Sequence, residues 1–260
     1  MFTAYSAVAP EAFQPGFVRT QIAMGRYTFL LKLQNYNGTP NDREVIVSFF
    51  VSSGVEGVQT SDGGDLPPPT FDGGDVWTVD PLSLLSGVSA NGRDCLVDAT
   101  PCAPKYSDGQ AYVVDGLLVA HIDAPLRIGL TMGTFHMDVK GGVMVARLTR
   151  SGASFSLAGD YGGRLQIGDL LRGLAFFRAP VGPGFLCPGV PLFDNLKGKL
   201  CEHLDLRGQQ AEDGRELPCD ALSTSLSFDA YPAQLGHVWQ PQPEVHPCTN
   251  VPDAAAYRCP

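Results

Sequence analysis

The stretch Ala111-Tyr112-Val113-Val114-Asp115-Gly116-Leu117-Leu118-Val119-Ala120-His121-Ile122-Asp123 decides the fold. Two apolar runs flank Asp-Gly, a dipeptide that tolerates positive φ at both central positions of a two-residue hairpin. In the second run Leu118, Ala120 and Ile122 share one face, and Leu117, Val119, His121 and Asp123 share the other. The same short-run grammar continues C-terminally. Leu126 to Leu130, Phe135 to Lys140, Val143 to Thr149 and Ser154 to Ala158 read as strands, with Gly141-Gly142 and Ser151-Gly152 as turns between them. Runs this short, with turns this frequent, predict a mainly β protein: an antiparallel β-sandwich or barrel-like sheet.

The period then changes. Ile167, Leu170, Leu171, Leu174 and Phe177 fall on one stripe of an α-helix, with Asp169 in the first turn where the helix dipole favours a carboxylate. Phe193, Leu196, Leu200 and Leu204 repeat that spacing, which predicts a second helix over Leu192–Leu206. One or both helices are expected to cover the sheet.

Upstream, Tyr27 to Leu33 and Glu44 to Ser52 read as a strand pair joined by the polar turn cluster from Asn35 to Asp42. Val76 to Val79 is a further strand, and Pro81 to Leu85 a helical turn. Met1 to Phe17 is expected to be an arm or first edge strand. Cys219 to Ala230 alternates through Leu222, Thr224, Leu226, Phe228 and Ala230, and Tyr231 to Gly236 is expected to end that strand. No linker divides the chain. The expectation is one β-rich domain over 1–260: N-terminal strands and an acidic loop (1–110), a central sheet and helix (111–177), and a cysteine-clamped C-terminal part (178–260).

The chain has 260 residues, 30 of them Gly and 21 Pro, and a formal net charge of −9. That acidity argues against a nucleic-acid partner, which would select a basic face. No apolar run is long enough to span a bilayer as a helix. Seven cysteines, none in a C-x-x-C pair, read as a disulfide set rather than a zinc site, and place the protein in an oxidising compartment: periplasm, cell surface or outside. No basic-then-apolar leader opens the sequence, so Met1 is expected to begin a mature region. Sequence alone does not fix connectivity. The pairing expected first is Cys187 with Cys201, then Cys248 with Cys259 and Cys95 with Cys102, which leaves Cys219 over.

Two sets of residues are candidates for metal. His121/Asp123 and His136/Asp138 are His-x-Asp pairs, each on one face of a strand. If the strands were neighbours, the four side chains would suit zinc or another transition metal, as in a metal-dependent hydrolase. The alternative is ordinary polar residues on a solvated sheet face. Asp62-Gly63-Gly64-Asp65 recurs as Asp72-Gly73-Gly74-Asp75 across Pro67-Pro68-Pro69. Asp62, Asp65, Asp72 and Asp75 can supply oxygens to Ca²⁺, though EF-hand spacing is absent; a solvated loop stiffened by polyproline geometry is the expected state. No G-x-S-x-G elbow, P-loop or dinucleotide fingerprint occurs, and no carboxylate pair is singled out for glycoside hydrolysis.

Asp160-Tyr161-Gly162-Gly163-Arg164-Leu165, Asp169-Leu170-Leu171, Leu186-Cys187, Leu200-Cys201 with Asp205, Cys219-Asp220-Ala221-Leu222-Ser223 and Tyr231-Pro232-Ala233-Gln234-Leu235-Gly236 form an ordered series. Over the second half of the chain it resembles uncharacterised secreted lipoproteins of myxobacteria and related bacteria. The resemblance implies a secreted or lipid-anchored domain and carries no activity. Together these readings predict a non-catalytic extracytoplasmic protein with a binding or structural role. Its partner is expected to be a glycan, a lipid or a protein at the cell surface, or further copies of itself.

Overall fold

The computed structural model describes residues 17–57, 68–85, 103–129, 136–152, 154–177, 184–239, 247–248 and 257–260. The protein is mainly β, 47% of it strand, and its main sheet is a curled antiparallel half-barrel. In chain order the strands are β1 (Thr28–Gln34), β2 (Asp42–Ser52), β3 (Val76–Val79), β4 (Tyr106–Val114), β5 (Leu117–Ile122), β6 (Leu126–Gly129), β7 (His136–Ser151), β8 (Ser154–Gln166), β9 (Ala221–Ala230) and β10 (Gln234–Val238). The main sheet runs β1-β2-β4-β5-β7-β8-β9, with β6 also paired to β7, and β3 and β10 form a separate parallel pair.

The Asp115-Gly116 hairpin forms as read. Both residues have positive φ, 49° and 76°, and Val114 faces Leu117 across the turn. Leu118, Ala120 and Ile122 are buried, whereas His121 is exposed. One expectation is corrected here. Gly141-Gly142 does not turn the chain but lies inside the continuous β7, where the register with β8 slips between Lys140 and Val143. Gly141 has a positive φ of 54°. That conformation makes a bulge, and a bulge bends a strand without ending it. On the far side of β7, β5 pairs with Gly142 to Arg147 and β6 with His136 to Val139. The break at Asp123-Ala124-Pro125 therefore sits beside the bulge, and the sheet turns a corner on that line. β8 also runs beyond Ala158, through Asp160-Tyr161-Gly162-Gly163, because its glycines fit under the bent β7. A β-carbon at Gly163 would run into Val139 and the Lys140 carbonyl.

The helices are α1 (Phe17–Ala23), α2 (Ile167–Leu174) and α3 (Pro191–Cys201), of which only α1 was not foreseen. α2 buries Ile167, Leu170, Leu171 and Leu174, and α3 buries Phe193, Leu196 and Leu200. They close the inner face of the half-barrel in one core with Met144, Leu157, Tyr161 and Leu165. β2 serves two cores at once. Val45, Val47, Phe49 and Val51 face the helices' side, while Phe50 joins Leu30, Trp77, Val79 and Leu84 under the small sheet. Tyr231 to Gly236 ends β9 at Ala230 as expected, but its second half is itself a strand: β10 begins at Gln234 and pairs with β3.

The expected cysteine pairs are also corrected. Cys187 bonds Cys248 and Cys201 bonds Cys259, each with Cα atoms 5.6 Å apart. Cys187 and Cys201 are kept from each other by the helix between them. Cys187 precedes α3, and Cys201 is its last residue. At α-helical rise α3 is about 16 Å long. That is more than twice the Cα separation a disulfide can bridge. The tail crosses both helices instead. Tyr257 packs edge-on to Phe193 at 6.1 Å between ring centroids, and this brings Cys259 to the C-terminal end of α3. Cys219 is an exposed free thiol. Cys95 and Cys102 lie outside the described residues.

Candidate functional site

The register separates the two His-x-Asp pairs. His121 lies opposite Val143, while His136 lies further along β7, opposite Gly129. At strand rise that separation is roughly 20 Å, too far for one ion. Asp138 is engaged elsewhere: Arg127 donates Nε at 3.0 Å and Nη2 at 3.3 Å to its two oxygens. That fork raises the Arg127 pKa. Among the described residues no group of three or more His, Cys, Asp or Glu gathers to hold a metal. The register thus keeps the two His-x-Asp pairs apart along β7.

In the acidic loop, Asp62 and Asp65 lie outside the described residues. Asp72 and Asp75 hold their own loop. Asp75 Oδ2 accepts from the Phe71 amide at 2.6 Å, and Oδ1 accepts from the Thr70 amide at 3.0 Å and the Thr70 hydroxyl at 3.3 Å. Asp72 Oδ1 accepts from the Gly74 amide at 2.8 Å, and that bond leads the causes that lower its pKa. Oxygens filled by backbone donors are poor calcium ligands, because an ion would first have to displace those bonds.

What the loop presents is aromatic. Phe71 has a φ of 56°. A bulky side chain adopts this left-handed conformation only under constraint. The Asp75 carboxylate supplies that constraint. Phe71 is half-buried, with Trp77 below it at 6.4 Å and Tyr231 beside it at 5.9 Å between centroids. Tyr231 is 56% exposed. Gln234 Nε2 donates to the Gly73 carbonyl at 3.1 Å, and its backbone N–H donates to the Asp75 carbonyl at 2.9 Å, so β10 locks the loop from the other side. The result is a rigid ledge, Phe71 and Tyr231, bordered by Asp72, Gly73 and Gln234. Backbone strain of this kind clusters at functional sites.

Sequence reasoning missed both ledge residues. Tyr231 carried a signal, since it is a large aromatic directly after the apolar face of β9 ends. Phe71 carried none, because its strain depends on Asp75 closing the loop.

A second exposed feature lies on the outer face of the sheet. Tyr112, Val114, Val143 and Val145 are exposed apolar side chains on β4 and β7; Val119 of β5 lies in register between Tyr112 and Val145, Leu117 between Val114 and Arg147, and Val143 lies opposite His121. Near the small sheet, His237 Nδ1 lies 2.7 Å from Glu56 Oε1, which also accepts the His237 amide at 2.8 Å. This pair ties β10 to the turn after β2. Among the described residues no helix is long and apolar enough to cross a membrane.

Compared with family models, curated proteins and solved structures, the chain matches none.

Proposed function

We propose that this chain is an extracytoplasmic, non-catalytic binding protein that takes a glycan on the Phe71–Tyr231 ledge. The observation that carries the reading is the left-handed Phe71, held by Asp75 so that its ring lies beside the exposed ring of Tyr231. Sugars offer flat C–H faces that pack on aromatic rings, and their hydroxyls want a few fixed polar groups at the edge. Asp72 and Gln234 stand at that edge. A loop already rigid before the ligand arrives loses little entropy on binding. Two disulfides support the oxidising compartment, as does the resemblance to secreted lipoproteins.

The test is co-sedimentation with insoluble polysaccharides (cellulose, chitin, peptidoglycan) against the Tyr231→Ala variant. The expected result is retention of the wild type on at least one of them, and loss of retention in the variant with its circular dichroism unchanged. Equal retention of both proteins, or none of either, argues against a glycan ledge.

A further inference from the structure

The main sheet ends on β9, and that edge is partly covered. Leu206 bridges Ala221, and Asp205 accepts the Ser223 amide at 2.7 Å and the Ser223 hydroxyl at 2.5 Å. The Ser223 amide therefore points away from β8. Pairing of β9 with β8 runs without a register slip from Ala221 to Ala230. Ser225, Ser227 and Asp229 therefore also turn their N–H and C=O groups outward. Among the described residues nothing pairs with that edge from Thr224 to Ala230. Of the devices that blunt an edge, the stretch carries a single charge near its end, Asp229, and has no Lys, no Pro and no bulge. Its inner face is left unfinished as well: Leu226 is 37% exposed and Phe228 is half-buried.

We propose that β9 pairs antiparallel with β9 of a second copy of this chain, about a twofold axis at Ser227, giving one continuous sheet through two half-barrels. The open stretch has Ser227 at its midpoint, and its sequence is self-complementary about that residue. In this register Leu226 faces Phe228 of the partner on the inner side, an apolar cross-strand pair that covers what each copy leaves exposed. Ser225 faces Asp229 of the partner on the outer side. The chain already uses that Ser–Asp pair twice: Ser227 Oγ donates to Asp160 at 2.6 Å, and Ser223 Oγ donates to Asp205. Ser227 faces itself and exchanges both backbone bonds. The only charges in the contact are the two Asp229 carboxylates, which stand at opposite ends. An isologous contact of this kind closes as a dimer and does not propagate.

The proposal is independent of the glycan reading and is tested without any ligand. Sedimentation equilibrium of the full chain, with its disulfides intact and Cys219→Ser to prevent a covalent dimer, should show a reversible monomer–dimer equilibrium. Ser227→Pro removes the central donor and leaves the backbone bonds to β8 in place, losing on that side only the Ser227 Oγ bond to Asp160, and should weaken the dimer by roughly tenfold or more. Leu226→Lys should act in the same direction and stands in if the proline variant does not fold, which near-ultraviolet circular dichroism reports. Val145→Lys on the outer apolar face should leave the dimer intact. Hydrogen exchange at Ser225, Ser227 and Asp229 should slow as concentration rises. A protein that stays monomeric to its solubility limit overturns the proposal. So does a dimer indifferent to both β9 variants, or one abolished by Val145→Lys.

Discussion

Tyr161 lays its hydroxyl against Gly142. A β-carbon at 142 would overlap the phenol oxygen, so this glycine is the space the ring occupies. The contact joins β8 to the bulge in β7 and fixes where the half-barrel turns its corner. Gly142→Ala should destabilise the protein by about 1–3 kcal/mol, the usual cost of overpacking a filled core. Among the described residues the buried Tyr161 hydroxyl has no hydrogen-bond partner, and burial pushes its pKa upward. Tyr161→Phe removes an orphaned polar atom, so it should raise stability by about 1 kcal/mol. Urea unfolding of the two variants checks both signs.

Asp80 couples stability to pH. It is buried at the end of β3, where Oδ1 accepts the Leu82 amide at 2.8 Å and caps the turn Pro81–Ser83. Burial raises its pKa above 3.8, while the Leu82 bond and the nearby Arg127 pull it back in part. Well below 3.8 folded and unfolded chains both carry the proton. As pH rises from there through the raised folded value, the folded state keeps its proton longer, so this group's contribution to stability falls. Asp80→Asn keeps the cap and removes the charge. The variant should melt with the wild type at low pH and above it at neutral pH. A difference in melting temperature that is the same at every pH contradicts this.

The cysteine connectivity is interleaved, and peptide mapping under non-reducing conditions should recover Cys187 with Cys248 and Cys201 with Cys259. Replacing Cys201 and Cys259 together by Ser should cost about 2–5 kcal/mol, because this bond holds Tyr257 against Phe193. Recovery of Cys187 joined to Cys201 would be inconsistent with an intact α3.

Asp75 is expected to act through Phe71. Asp75→Ala removes the charge-assisted bonds from Thr70 and Phe71, and should cost about 1–3 kcal/mol. It should also weaken glycan retention with both rings still present. Millimolar calcium should leave the wild-type melting temperature unchanged, since the Asp75 oxygens are already occupied. A calcium-dependent rise would restore the metal reading of this loop.

What the sequence made legible was local. Asp115-Gly116 needs only its own two positive φ values, and the Ile167 to Phe177 stripe needs only its own period, so both were readable. Gly141-Gly142 was misread because positive φ serves a turn and a bulge alike; Tyr161 and Gly163 on the next strand decide between them. Gln234 to Val238 was missed because its partner, Val76 to Val79, lies far upstream and parallel, and no local pattern announces that. Each His-x-Asp pair does lie along one strand or its end, but the distance between the pairs is set by register along β7. The ledge was invisible for the same reason: Phe71 and Tyr231 meet only when β10 docks on β3.

The most direct test of binding at the ledge is a calorimetric titration of the purified chain with soluble oligosaccharides prepared from whichever polysaccharide retains it, run beside Tyr231→Ala and Tyr231→Phe. Saturable binding is expected, weakened by roughly tenfold or more in Tyr231→Ala (about 1.4 kcal/mol) and largely kept in Tyr231→Phe, because the ring face carries the contact. Equal affinity of the wild type and Tyr231→Ala, with both proteins folded, would contradict it.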